Sequence, residues 1–271
     1  MTDGSSTPPP LRLGALLGEG ARGLWANRRI FVALAAVPVL YDTITQSILF
    51  WIYGDDPRDD LFFLVLAGAL ILGTIFYVGI IRALLVGPSA IHRPIHVRWG
   101  RREWLTLLYS ILFAALCLVI LAAFLAPLVM ISEYLEPTSG ELDTSTEDTG
   151  TTAILTGLVL ITAIVVLPRF YFIFPAIALD KKFGFRRSWH QTRGIFMLLA
   201  GAVGLTLLIG WAIESGIDSL EETYRQYGVA ALVALNLFGS FGYYCLSGAM
   251  AAVVALAYKQ RVGLPVQERS A

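Results

Sequence analysis

Leu61-Phe-Phe-Leu-Val-Leu-Ala-Gly-Ala-Leu-Ile-Leu-Gly-Thr-Ile-Phe-Tyr-Val-Gly-Ile-Ile-Arg-Ala-Leu-Leu-Val86 carries one charged side chain, Arg82, near its end. A helix rises about 1.5 Å per residue, so about 20 apolar residues cross a hydrocarbon layer of about 30 Å, and this run exceeds that. A water-facing helix of similar richness would alternate apolar and charged positions around the 3.6-residue turn. This one does not, and bilayer is the solvent that suits it.

The rest of the chain repeats the pattern. Of 271 residues, 56% are hydrophobic and only 15% charged, and the mean hydropathy is +0.69. Six apolar stretches predict transmembrane helices at about 30–53, 61–86, 104–131, 152–174, 195–213 and 229–258. The expected class is an all-α polytopic membrane protein with six spans in three hairpins, occupying residues 11–262. Met1 to Pro10 has no apolar core of a signal peptide and reads as a disordered tail, while 263–271 reads as a cytoplasmic tail. Only the first span holds an acid at its centre, Asp42. Insertion of a central Asp costs about 2.5–3.5 kcal/mol, which about a dozen neighbouring apolar residues at about 0.3–0.6 kcal/mol each can offset.

The placement of the twenty Lys and Arg residues orients these spans. Arg12, Arg22, Arg28 and Arg29 precede the first. Arg82, Arg93, Arg98, Arg101 and Arg102 surround the second connection, and Arg169, Lys181, Lys182, Arg186, Arg187 and Arg193 the fourth. Lys259, Arg261 and Arg269 follow the last, leaving only Arg58 and Arg225 on the opposite side. Cytoplasmic loops carry such an excess of bases, so both termini are expected in the cytoplasm. The opposite connections are acidic, at Asp55 to Asp60, Glu133 to Asp148 and Glu214 to Glu222. Trp25, Trp51, Trp99, Trp104, Trp189 and Trp211 all fall near span ends, where amphipathic rings prefer the headgroup level.

Each hairpin follows a basic, Trp-containing stretch, through either a threefold repeat or the charge and aromatic-belt rules alone. Leu13, Leu16, Leu17 and Leu24 share a helical face opposite Arg12, Glu19 and Arg22, which predicts an in-plane helix on the inner leaflet. A second surface helix is expected from about Gly184 to Arg193.

That segment lies in the most distinctive run of the chain, Arg169-Phe-Tyr-Phe-Ile-Phe-Pro-Ala-Ile-Ala-Leu-Asp180, then Phe185-Arg-Arg-Ser-Trp-His-Gln-Thr-Arg-Gly194 and Phe196-Met-Leu-Leu. It resembles the membrane-domain superfamily of glycerophosphoryl diester phosphodiesterases and the related YciC-like bacterial inner-membrane proteins. Pro175, Asp180, Ser188, Trp189, Thr192, Arg193 and Gly194 carry the likeness over about thirty residues. It implies a multi-pass protein of a bacterial inner membrane with an envelope or lipid-related role, and it transfers no catalytic residue. In physical terms the run reads as an elbow: Pro175 ends a helix, Asp180 or Ser188 caps the next, and Arg193 reaches a phosphate. Arg186, Arg187, Trp189 and Arg193 are the expected contacts with lipid headgroups or a partner, against the plainer reading of topology anchors.

Asp42 is the other candidate, because an ionisable group inside a bilayer is functional by default. Gln46 and Thr45 share its face, and Asn236 enters the sixth span at similar depth. These residues form either a proton or solute pathway or a polar seam between helices. Asp55-Asp-Pro-Arg-Asp59 spells a diphosphate–magnesium motif but sits in a turn broken by Pro57. His92 and His96 have ligand spacing with Pro94 between them and no Glu or Cys to complete a zinc site. No nucleotide loop or nucleophile elbow is present. Cys117 and Cys245 sit in apolar stretches as small hydrophobes. The expectation is a non-enzymatic protein without cofactor or metal. Its partners are the bilayer and its anionic headgroups, and a second copy or another membrane protein, with no nucleic acid. A small-solute or proton-coupled transporter using Asp42 is the alternative. Small residues at Gly201 to Gly204 and Gly239 to Ala252 let helices approach closely, within the bundle or between copies.

Overall fold

The structure, a computed structural model, describes residues 12–53, 59–91, 99–135, 164–225 and 227–263. Among these residues every regular element is a helix: α1 (Leu13–Ala26), α2 (Arg28–Tyr53), α3 (Asp59–Leu85), α4 (Arg101–Leu135), α5 (164–170), α6 (Ile173–Ala178), α7 (Phe185–Thr192), α8 (Phe196–Arg225) and α9 (Val229–Val262). Short 3₁₀ turns occupy Pro88–Ala90 and Arg193–Ile195.

Five helical stretches are long and apolar enough to cross a bilayer: Arg28–Leu49, Phe63–Leu85, Arg101–Ile120, Phe185–Ile217 and Val229–Val262. A shorter apolar stretch covers Ile164–Ala178. At most 33% of any of the five is buried within the protein. Apolar side chains such as Leu118 (64% exposed) and Phe238 (71%) therefore face outward and need lipid as solvent. The chain is an all-α polytopic membrane protein. The first half of the expected fourth span lies outside the described residues. So do both tails, Asp55 to Arg58, His92, His96 and most of the acidic segment after Glu133.

Helix α9 is the centre of the bundle, in contact with α1, α2, α3, α6 and α8. Its last turns are small: Ala251, Ala252, Ala255 and Ala257 are fully buried, which lets neighbours close around it. Phe31 of α2 lies where a Cβ on Gly248 would stand, 2.6 Å from its Cε2. Edge-to-face contacts then run from Phe31 to Phe76 (5.7 Å between ring centroids) and from Phe76 to Tyr244 (5.1 Å). The small residues singled out in α8 and α9 meet partners within the same chain: Gly201 faces Leu13, Gly239 faces Ile217 and Gly242 faces Ile213.

Two expectations change. The apolar face of α1 packs on protein: Leu16 is buried, Gly20 abuts Ala252 of α9, and Gly23 abuts Leu84 of α3. Glycine there admits a close crossing that a larger side chain would block. The acidic stretch from Glu214 to Glu222 is helical, because α8 runs to Arg225 well past the expected span end at residue 213.

Candidate functional site

The elbow begins with a missing donor. Pro175 has no N–H for the carbonyl of Tyr171, four residues earlier, and its ring crowds that position. The helix breaks there, at Tyr171 and Phe172, one turn before the proline rather than at it. The Tyr171 carbonyl instead accepts from the Phe174 N–H at 3.3 Å. Helix α6 follows, every residue buried, and it ends after two turns with Asp180 in the left-handed region (φ 56°). Two end-capping bonds form: Asp180 N–H donates to the Ile177 carbonyl (3.0 Å) and Lys181 N–H to the Ala176 carbonyl (2.8 Å).

Two guanidiniums hold this end of α6. Arg82 of α3 donates to the Ala178 carbonyl at 2.7 Å. Arg102 of α4 forks onto Asp180, Nε to Oδ1 at 2.6 Å and Nη2 to Oδ2. Cations suit the negative end of a helix dipole. The fork also keeps the Asp180 carboxyl below its ordinary pKa, through the Arg102 hydrogen bond first and then the charges of Arg102, Arg82 and Arg101.

Helix α7 is not capped by the expected side chains. Its N-cap is Gly184, whose carbonyl accepts from Ser188 N–H at 3.1 Å. Ser188 and Thr192, one turn apart, are both fully buried. The Ser188 hydroxyl donates to the Arg169 carbonyl at 2.9 Å, and the Thr192 hydroxyl lies within reach of the same carbonyl at 3.2 Å while also meeting the Ser188 carbonyl of its own helix at 2.9 Å. The Arg169 carbonyl lies in the last turn of α5, where helix geometry leaves acceptors without intrahelical partners. The side chain of Arg169 completes the joint, its guanidinium 4.8 Å from the Trp189 ring and 4.0 Å from the Phe196 ring. Phe113, Phe170, Phe174 and Phe185 pack beneath as an aromatic cluster.

The exposed side of α7 presents Arg186, Trp189, His190 and Arg193, at helical spacing on one face. Arg187 is also exposed, with its guanidinium 5.0 Å over Phe183. The four contacts expected from the sequence are thus together. No break isolates α7 as a separate surface helix: Thr192, Arg193 and Phe196 are all helical, and a single 3₁₀ turn leads into α8. The joined stretch Phe185–Ile217 would be about 50 Å long, beyond a hydrocarbon layer of about 30 Å, so one or both ends project from it. A cleft of about 380 Å³ opens at the junction, with Arg193 and Arg261 on its walls.

The intramembrane group arranges differently from expectation. Asn236 Nδ2 donates to Ser47 Oγ at 3.1 Å, both residues buried, rather than meeting Asp42. Antiparallel packing of α2 on α9 carries Tyr244, two turns beyond Asn236, to the Asp42 side chain. Gln46 is on the exposed face of α2. Thr43 and Thr45 turn their hydroxyls to carbonyls of their own helix, at 2.7 and 2.8 Å. Both cysteines are free thiols. Among the described residues no three His, Cys, Asp or Glu side chains gather as metal ligands would.

Comparison of the chain with protein-family models, with curated proteins and with solved structures finds no match.

Proposed function

We propose that this chain is a non-enzymatic, multi-pass protein of a bacterial inner membrane, with both termini cytoplasmic. Its basic α7 face holds anionic phospholipid headgroups in support of envelope or lipid homeostasis. The observation that carries the reading is the exposed face of Arg186, Trp189 and Arg193 at the end of a long apolar helix. Bases at a membrane surface gain about 1 kcal/mol each from anionic lipid, and an indole beside them suits the headgroup layer. The likeness of the elbow to YciC-like and phosphodiesterase membrane domains supports the bacterial inner membrane. The positions that carry it are those that build the joint: Pro175 at the break, Asp180 at the cap, Ser188 and Thr192 on the Arg169 carbonyl.

Replacing Arg186, Arg187 and Arg193 together by Gln is expected to lower the anionic phospholipid that copurifies with the folded protein. Unchanged retention would remove the lipid role. The rival, a transporter working through Asp42, has its group in the apolar α2 beside Tyr244. The Asn236–Ser47 bond and the self-satisfied threonines favour a seam, for which such bonds average about 0.6 kcal/mol. Solute or proton flux in proteoliposomes that Asp42→Asn abolishes would reverse that preference.

A further inference from the structure

The junction of α7 and α8 holds more than a charged surface. Arg193 closes one side of the cleft, and Arg261, from the last turn of α9, reaches across to the other. Among the described residues the only ion pair is Arg102–Asp180, so neither cleft guanidinium has a carboxylate partner. Gly194 explains how Arg261 can lie there. A Cβ at that position would stand 2.7 Å from Arg261 Nη2 and push that flexible end aside, so glycine lets the guanidinium lie against the backbone. The remaining wall is apolar, with Met197 79% exposed beside Leu198. Phe196 also lines the cleft and has the Arg169 guanidinium over its ring.

Two unpaired guanidiniums facing one small volume fit the oxygens of a phosphate ester, which arginine binds by paired hydrogen bonds. An exposed methionine at the same opening fits an alkyl chain rather than water. We infer that this cleft is a discrete binding site for one anionic phospholipid, its phosphate between Arg193 and Arg261 and its acyl chain along Met197. The site rests on the lipid reading above and sharpens it from a diffuse basic face to a defined pocket.

The test uses the full chain in phosphatidylcholine nanodiscs, titrated with short-chain phosphatidylglycerol, with bound lipid counted by native mass spectrometry. Wild type is expected to retain one phosphatidylglycerol. Arg261→Gln should weaken it on the order of tenfold, as loss of a charge-assisted bond does. Gly194→Ala keeps every charge and favours helix, yet its Cβ shifts the end of Arg261, so it should weaken binding through geometry alone and by less than Arg261→Gln does. Arg22→Gln, on the exposed side of α1, serves as the charge-loss control and should behave as wild type.

Wild-type binding in both Arg261→Gln and Gly194→Ala would overturn the site. Were the Arg186, Arg187 and Arg193 triple variant still to lose lipid in that case, the basic-face reading would stand without the pocket. No preference for phosphatidylglycerol in wild type would overturn both. Inorganic phosphate or glycerol phosphate displacing the lipid as well as the short-chain lipid does would show that the apolar wall takes no part, overturning the lipid assignment in favour of a free phosphate.

Discussion

Asp180 shows two demands meeting at one residue. Its backbone must be left-handed to close α6, and its side chain must accept the Arg102 fork. Glycine meets only the first demand and glutamate only the second; Asp tolerates both. Asn has the same tolerance, so Asp180→Asn tests the charge alone. The pair is partly exposed, at 36% and 58%, and its loss is expected to cost less than about 1 kcal/mol. Asp180→Val adds a β-branched residue at positive φ and should cost about 1–2 kcal/mol more, read as thermal unfolding in detergent. Equal costs for the two would contradict the backbone account. Because the folded carboxyl titrates below its ordinary value of 3.8, its contribution is complete above that pH and fades as pH falls through the lower folded value. Acidification below about pH 4 should therefore begin to narrow the difference between Asp180→Asn and wild type, which closes once the folded carboxyl is itself protonated, whereas raising the pH from neutrality leaves their difference unchanged.

At the scale of helices, α7 is clamped to the Arg169 carbonyl by Ser188, with the Thr192 hydroxyl in reach as a second donor. Ser188→Ala alone leaves the Thr192 hydroxyl free to turn to the Arg169 carbonyl, and Thr192→Val alone leaves Ser188 on it. The double substitution leaves that acceptor without either hydroxyl, which costs about 1–3 kcal/mol and should exceed the sum of the single effects in a double-mutant cycle. A strictly additive cycle would argue against a shared acceptor. Another close fit joins α2 to α3: the Tyr41 hydroxyl donates to the Val65 carbonyl at 3.2 Å and occupies the place of a Cβ on Gly68. Gly68→Ala is expected to destabilise by about 1–3 kcal/mol and to be largely rescued by Tyr41→Leu. The spacing of residues made the faces of α1 and α7 legible but not their occupants. Periodicity says that Leu16 is covered, and either lipid or an alanine-lined α9 satisfies it. The clamp was invisible for a related reason. Ser188 and Thr192 announce themselves only as a pair one turn apart, and their acceptor is a backbone group left free where α5 ends at the break before Pro175.

Across the whole molecule, the segments that cross the bilayer were legible because apolar length and charge asymmetry are what insertion itself responds to. A reporter fused after Ala271 should be active only in its cytoplasmic form, and one placed after Arg225 only in its external form. The reverse pattern would invert the topology. That α9 is the hub was not legible, since in lipid every span is apolar and centrality depends on small residues such as Gly248 and Ala252 meeting Phe31 and Gly20. Gly248→Val should overpack that contact at a cost of about 1–3 kcal/mol, visible as a lower melting temperature in detergent.

The seating of α1 against α9 also sets an order of assembly. The ribosome adds about 5–20 residues per second, so the helix made first waits on the order of ten to fifty seconds for the partner made last. Throughout that wait Gly20 lacks its Ala252 partner while Gly23 can already meet Leu84 of α3, and the single residue Asn27 tethers α1 to α2. The contact of α1 with α9 is thereby among the last in the bundle to form. A chain stalled before Ala252 leaves α1 without its contact on α9, held only by the helices made before it.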